Sequence, residues 1–181
     1  KQNPDQKSSK HYRYLVFIGR FQPFHAGHKA VIDEALKRSD EVIMLIGSAN
    51  LPRSLRNPFS VAERAAMIKG AYSEEEAARI HCVGLDDALY NDTRWLQYVQ
   101  AGVKSVTGDL QGNIGLIGHS KDSSSYYLSL FPNWDSVSVP NYHNLSATPI
   151  RDSYLMGATP TPERTPESTR KVLNEFKKTE A

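Results

Sequence analysis

Two histidines one helical turn apart, His25 and His28 in Phe24-His25-Ala26-Gly27-His28, are the residues of this chain best placed to do chemistry on an anion. At that spacing on a helix both rings reach the same ligand. The run follows an apolar stretch and stands where a helical pattern begins. Unpaired backbone N–H groups and the positive end of the helix dipole therefore join the imidazoles. Gly27 has no Cβ and lets a phosphate come close to the backbone. Arg20 follows the apolar stretch directly and adds a cation at the rim. Taken alone, the histidine pair has an equally good structural reading, in which Phe21 and Phe24 pack in the core and the histidines are solvated cap residues.

A second basic element lies far along the chain, at Ser146-Ala147-Thr148-Pro149-Ile150-Arg151. Thr148 suits the N-cap and Pro149 the first helical position, which leaves the N–H groups of Ile150 and Arg151 for a ligand phosphate. The Arg151 guanidinium is a planar fork matched to phosphate oxygens. Such a run alone is an ordinary helix start; together with the histidine pair it makes a two-part anion site. His119 and Gly47 end further apolar runs, and each is open to a structural reading as well as a ligand one. Arg53, Arg56 and Arg64 add basic side chains near the same rim; loop arginines are mostly solvated, and Arg53 is the best candidate of the three. Ser123-Ser124-Ser125 lacks the glycines of a nucleophile elbow, which rules against a serine hydrolase. Cys82 sits in an apolar strand pattern and reads as core.

These residues need a scaffold that brings loop ends together. Tyr14 to Ile18, Val42 to Ile46, Arg79 to Leu85, Asn113 to Gly118 and Ser136 to Val139 read as strands, the first two apolar throughout as in a sheet buried on both faces. Helical patterns run from Gly27 to Arg38, from a Ser60/Glu63 capping box to about Ala71, from Thr93 to Ser105, from Asp122 to Leu130, and from Thr148 until Gly157 ends it. The alternation predicts a doubly wound, Rossmann-like α/β domain with a mostly parallel sheet over residues 12–158. Residues 1–11 read as a disordered tail, and 159–181 as a proline-rich connection and a C-terminal helix to about Lys178. In such sheets ligands lie beyond the carboxyl ends of the strands, at the point where strand order reverses. His25, Gly47 and His119 all follow strands.

Composition narrows the partners. With 39% apolar and 23% charged residues, and no apolar run of bilayer length, the chain reads as a globular protein outside membranes. A lone cysteine and the lack of a leader pattern make the cytoplasm the expected compartment. The formal net charge of +2 lies in the leading tail: Lys1, Lys7, Lys10 and Arg13 against Asp5 leave the rest slightly acidic. No broad footprint for nucleic acid is present.

At this point the sequence resembles the nucleotidylyltransferase superfamily, whose H-x-G-H and S-x-T-x-x-R elements it matches at His25 to His28 and Ser146 to Arg151. The longer run Ile18 to His28, with Ile46-Gly47-Ser48-Ala49, Asn57-Pro58-Phe59 and Glu63-Arg64, is similar to the archaeal-type nicotinamide mononucleotide (NMN) adenylyltransferases. Gly118-His119-Ser120-Lys121-Asp122, Ser125-Tyr126-Tyr127 and Phe131-Pro132 resemble the adenylyltransferase domain of bacterial enzymes that also carry a Nudix domain. The chain shows no Nudix box, so it is expected to be a single-domain relative or a fragment.

The resemblance implies transfer of the adenylyl group of ATP to NMN, giving NAD and pyrophosphate. A mononucleotide phosphate oxygen attacks the α-phosphorus in line, and no protein nucleophile takes part. His25, His28 and Arg20 then act on the α-phosphate, and Ser146, Thr148, Ile150 and Arg151 hold the β- and γ-phosphates. Gly19, Phe21 and His119 complete the ATP site. Phe21, Gly47, Ser48, Arg53, Asn91 and Trp95 are the implied nicotinamide nucleotide site, with Trp95 stacking on the ring or packing in the core. Mg2+ is expected mainly on the substrate phosphates, with few or no protein ligands. Rival readings are a preference for nicotinate mononucleotide, another phosphorylated acceptor such as phosphopantetheine or flavin mononucleotide, and a nucleotide sensor without turnover. Acceptor preference, metal preference and a homo-oligomeric state stay open at this level.

Overall fold

The computed structural model describes residues 11–52, 54, 58–87, 92–108, 113–119, 134–139, 150–151, 155 and 165–179. Five strands form one sheet: β1 Tyr12–Gly19, β2 Ser39–Ile46, β3 Ile80–Gly84, β4 Ile114–His119 and β5 Asp135–Val139. Their order is β3-β2-β1-β4-β5, and every neighbouring pair is parallel. The chain builds β1 to β3 in one direction and then returns to lay β4 and β5 on the other side of β1. Strand order thus reverses between β1 and β4, and β1 delivers the histidine turn to that point.

Alternate residues of the strands go to opposite faces, and both faces are apolar. Leu15, Phe17, Val42, Met44 and Ile46 join one core cluster with Val31, Ile32, Ala35 and Leu36 of helix α1, Ala26–Arg38. Met67 and Ile68 of α2, Val61–Lys69, enter the same cluster, as does Leu173 of the C-terminal helix Glu167–Thr179. Tyr14, Val16, Ile18, Ile43 and Leu45 form the second cluster with Val99 and Val103 of the helix Asp92–Thr107. A strand that must satisfy two apolar layers cannot alternate with polar residues, which is why β1 and β2 read as unbroken apolar runs. Between α2 and β3 the chain makes a one-turn helix, Glu74–Ala77, that the sequence reading omits; Ser73 caps it through the Glu76 N–H. In chain order the helices are thus α1, α2, α3 (Glu74–Ala77), α4 (Asp92–Thr107) and α5 (Glu167–Thr179).

The expected strands and helices agree with these to within a few residues at each end, as helix and strand termini generally do. β1 and β2 start earlier than predicted, at Tyr12 and Ser39. The chain is helical at Ile150 and Arg151. The helix expected over Asp122 to Leu130, the leading residues 1–10 and the prolines at 160 and 162 lie outside the described residues. No helix among the described residues is long and apolar enough to cross a membrane.

Candidate active site

The carboxyl ends of β1 and β2 adjoin through a hydrogen bond from the Gly47 N–H to the Gly19 carbonyl, 2.8 Å. Just beyond each end the backbone turns through a left-handed conformation at a residue with a side chain, Phe21 (φ 54°) and Ser48 (φ 56°). Non-glycine residues hold that region only when the surrounding structure enforces it, and such positions gather at functional sites. At Phe21 the enforcement is visible: its ring is 1% exposed and folds back over Gly19, where an added Cβ would stand 2.8 Å from the ring. The Phe21 side chain is therefore core, and what this residue can offer a ligand is its backbone.

His25 is the N-cap of α1. Its Nδ1 accepts from the N–H groups of Gly27 (3.0 Å) and His28 (3.3 Å), while the His25 N–H donates to Nδ1 of His28 (3.2 Å). This is a capping box in which two imidazoles replace the usual Ser and Glu. A ring nitrogen that accepts from an N–H carries no proton, so each imidazole bears its hydrogen on Nε2. The cap thus fixes both tautomers, and both rings present an Nε2–H donor. His25 is 2% exposed, and the rings stack with centroids 3.6 Å apart. Phe21 meets His28 edge to face at 4.8 Å and Phe24 stacks on it at 5.9 Å, so aromatic packing sets the ring plane of His28 as well. Phe21 and Phe24 are thus core and His25 is a cap, but a buried one and not a solvated one, and the aromatics pack on His28.

The turn is gripped from elsewhere in the chain. Arg151 donates through Nη1 to the Gln22 carbonyl, 3.1 Å, across a separation of 129 residues. The Thr169 hydroxyl of α5 donates to the Phe24 carbonyl, 2.9 Å. Gln22, 1% exposed, pairs its side-chain amide with both backbone groups of Phe59, each at 3.0 Å. Arg64 donates to the carbonyls of Arg20 (2.8 Å) and Gly47 (2.7 Å). Arg64 is 1% exposed and lies on α2, which corrects its reading as a solvated loop arginine. Burial, with the Arg20 charge acting in the same direction, pulls its guanidinium down to about 10, so it is still a cation at neutral pH. Arg20 itself is exposed at the rim.

On the β2 side, Ser48 is 1% exposed and donates its hydroxyl to Asp87 Oδ2, 2.9 Å. Asn50 clasps the Asp87 backbone, accepting from its N–H at 3.0 Å and donating to its carbonyl at 3.3 Å. The loops after β2 and β3 are thereby joined, and the Ser48 hydroxyl is engaged within the protein. Trp95, on the first turns of α4, is half-buried against the second core cluster. Ile150 is buried at 1% exposure. His119 is the last residue of β4 and so stands beside the end of β1 in the sheet. Arg53, Arg56, Asn91, Ser146 and Thr148 lie outside the described residues. Gln22 and Thr169 escaped the sequence reading, and Arg64 entered it only as a rim cation, not as the buried donor it is. A capping pattern with Glu63 marked the start of α2, but nothing in the sequence tells a buried arginine there from an exposed one.

Parallel strands converge on an imidazole-capped helix with the Arg64 and Arg151 guanidinium groups bound to the turn before it, an arrangement with the donors and cations an anion needs. A family model described as cytidylyltransferase-like matches residues 16–153, and the chain belongs to that family. It is 44% identical to a nicotinamide/nicotinic acid mononucleotide adenylyltransferase of Acinetobacter baylyi over 93% of this chain and 89% of that one. A crystal structure of a bifunctional NMN adenylyltransferase/ADP ribose pyrophosphatase from Francisella tularensis superposes with a TM-score of 0.82 at 33% identity, covering 92% of this chain. This chain spans 50% of the length of that bifunctional one. A second structure of the Francisella tularensis protein, complexed with AMP and a manganese ion, superposes with a TM-score of 0.79 at 32% identity, over 92% of this chain and 49% of that one.

Proposed function

We propose that the chain transfers the adenylyl group of ATP to NMN, releasing pyrophosphate and forming NAD. The observation that carries this reading is the docking of Arg151 on the carbonyl of Gln22, which sets the second motif against the histidine turn. Both substrates are polyanions, so their meeting needs donors and cations fixed in advance. The Nε2–H groups of His25 and His28 and the N-terminus of α1 supply donors for the α-phosphate, and Arg20 supplies a charge that follows the attacking and leaving oxygens. Arg151, with Ser146 and Thr148 of the same motif, takes the β- and γ-phosphates. Gly47, Ser48, Trp95, Arg53 and Asn91 serve the pyridine nucleotide. His119 and the backbone of Gly19 and Phe21 serve the adenosine side.

Among the described residues no three carboxylate, imidazole or thiolate groups stand close enough to share a metal ion. Mg2+ in this reading arrives with the nucleotide and is held by its phosphate oxygens. A nicotinate acceptor is the second reading, supported by the double acceptor in the name of the Acinetobacter baylyi relative. The test is to incubate the protein with ATP, Mg2+ and either pyridine mononucleotide, and to measure pyrophosphate and dinucleotide. Dinucleotide from NMN is expected, and its absence with both acceptors refutes the proposal. In the active protein His28→Ala is expected to lower kcat by about 10²- to 10³-fold with a much smaller change in KM.

A further inference from the structure

Arg64 is a buried cation whose side chain hydrogen-bonds no carboxylate among the described residues. Its three side-chain acceptors are backbone carbonyls: Ser60 at 3.2 Å through Nε, and Arg20 and Gly47 at 2.8 and 2.7 Å through Nη1. Taking a guanidinium out of water costs several kcal/mol, and neutral carbonyls return only part of it. The exposed Arg20 guanidinium nearby acts to discharge Arg64, against the smaller opposing effects of the Asp87 and Glu63 charges. A core packed for stability alone would place an apolar side chain here.

What the position provides is a fixed spacing. Arg20 and Gly47 are the first residues after β1 and β2, and one nitrogen of Arg64 binds the carbonyls of both. That nitrogen therefore ties the two loops together just beyond the Gly47–Gly19 hydrogen bond. Its anchor is rigid, since Arg64 lies on the first turn of α2, whose capping box is closed by Ser60 and Glu63. With the Arg20 carbonyl tied inward, the backbone from which the exposed Arg20 side chain departs is held in place.

We propose that Arg64 is a positioning residue, acting through the backbone of Arg20 to aim the Arg20 guanidinium at the substrate phosphates. The proposal rests on the adenylyl-transfer reading for its kinetic consequence, but its basis can be read by binding alone. The probe is inorganic tripolyphosphate, titrated calorimetrically into the full chain and into Arg20→Met, Arg64→Met, Arg64→Lys and the double Met variant. Each single Met variant is expected to weaken binding about 10-fold, and the double variant no more than Arg20→Met alone, since the two act as one unit. Arg64→Lys, whose ammonium can still donate to both carbonyls, is expected to bind within about 3-fold of the parent and covers the case in which Arg64→Met does not fold. The same order is expected in kcat for dinucleotide synthesis, with KM for NMN little changed. Additive losses in the double variant, or an Arg64→Lys variant that folds but binds as weakly as Arg20→Met, overturn the proposal. A parent that makes no dinucleotide while the binding losses are non-additive refutes the functional reading and leaves Arg64 in its role.

Discussion

His25 performs two tasks that substitution can separate. His25→Ala removes two N–H acceptor contacts at 3.0 and 3.3 Å, a ring stacked on His28 at 3.6 Å, and the volume of a side chain only 2% exposed. Loss of the cap costs about 1 kcal/mol. Loss of the ring pair costs about 0.5–1 kcal/mol. The unfilled space adds about 1–2 kcal/mol, for a total near 3 kcal/mol. In a chain of this size that lowers Tm by about 6–12 °C. His25→Asn keeps an acceptor at the right reach and ranks among the best N-caps, so it should recover about 1 kcal/mol. Neither variant has the Nε2–H. Both should therefore lose about 10²- to 10³-fold in kcat, the cost of one donor aimed at a developing oxyanion. Urea denaturation followed by circular dichroism separates the two variants, and pyrophosphate release, at a temperature where both are folded, does not. If His25→Asn turns over at the parent rate, His25 is only a cap. If it is no more stable than His25→Ala, the capping account is wrong.

Three further outcomes follow from the same geometry. An added Cβ at Gly47 meets only ordinary contacts, the Gly19 carbonyl at 3.5 Å and Arg20 Cγ at 3.7 Å, so Gly47→Ala should change stability by under about 0.5 kcal/mol. A substrate that lies against that backbone will then show KM for the mononucleotide raised about 5-fold or more, and an unchanged KM removes Gly47 from the binding site. Burial pushes the Cys82 thiol up to about 11, only partly offset by the Lys69 charge. Iodoacetamide at pH 7.5 should therefore label the native chain at least about 100-fold more slowly than the urea-unfolded chain, and equal rates contradict the burial. Burial raises the Glu41 carboxyl, but hydrogen bonds from His81 and Arg13 and the charges of both outweigh it, leaving the carboxyl below its usual value. A depressed carboxyl contributes stability that is complete above its unfolded value, about pH 4.3, and is lost as pH falls through the folded one. Glu41→Gln should flatten the fall in urea midpoint between about pH 5 and about pH 2; parallel profiles for the two proteins would count against the ion pair.

Much of the fold is legible because it rests on patterns that repeat. Val42 to Ile46 had to be buried on both faces, and the structure splits it between two core clusters, Met44 and Ile46 on one side, Ile43 and Leu45 on the other. The Ser60/Glu63 box marked the start of α2 because capping is a local, side-chain-specific event. The same box at His25 and His28 passed unrecognised, since imidazoles are uncommon in that role, although the three-residue spacing was in view. Gln22, Arg64 and Thr169 were illegible for a different reason. Each is bound to backbone groups 37, 44 and 145 residues away, and a backbone carbonyl leaves no mark in a sequence. Phe21 was readable as apolar, but its left-handed φ of 54° was not, because the ring that folds over Gly19 is what holds it there.

The carbonyls between β1 and α1 are held by donors from three distant parts of the chain, Arg64 on Arg20, Arg151 on Gln22 and Thr169 on Phe24. A polyanion is repelled by carbonyl oxygens, so tying them back, two of the three with guanidinium cations, leaves the turn electropositive. The same arrangement decides how the site fails. It cannot open by itself, and it cannot stay closed if α2, α5 or the helix of Arg151 frays. Local opening there must break all three bonds and expose the buried Phe21 and Phe24, which makes it costlier than the opening of an untethered loop. Activity then serves as a gauge of the intact fold, declining in denaturant together with the structure and not ahead of it.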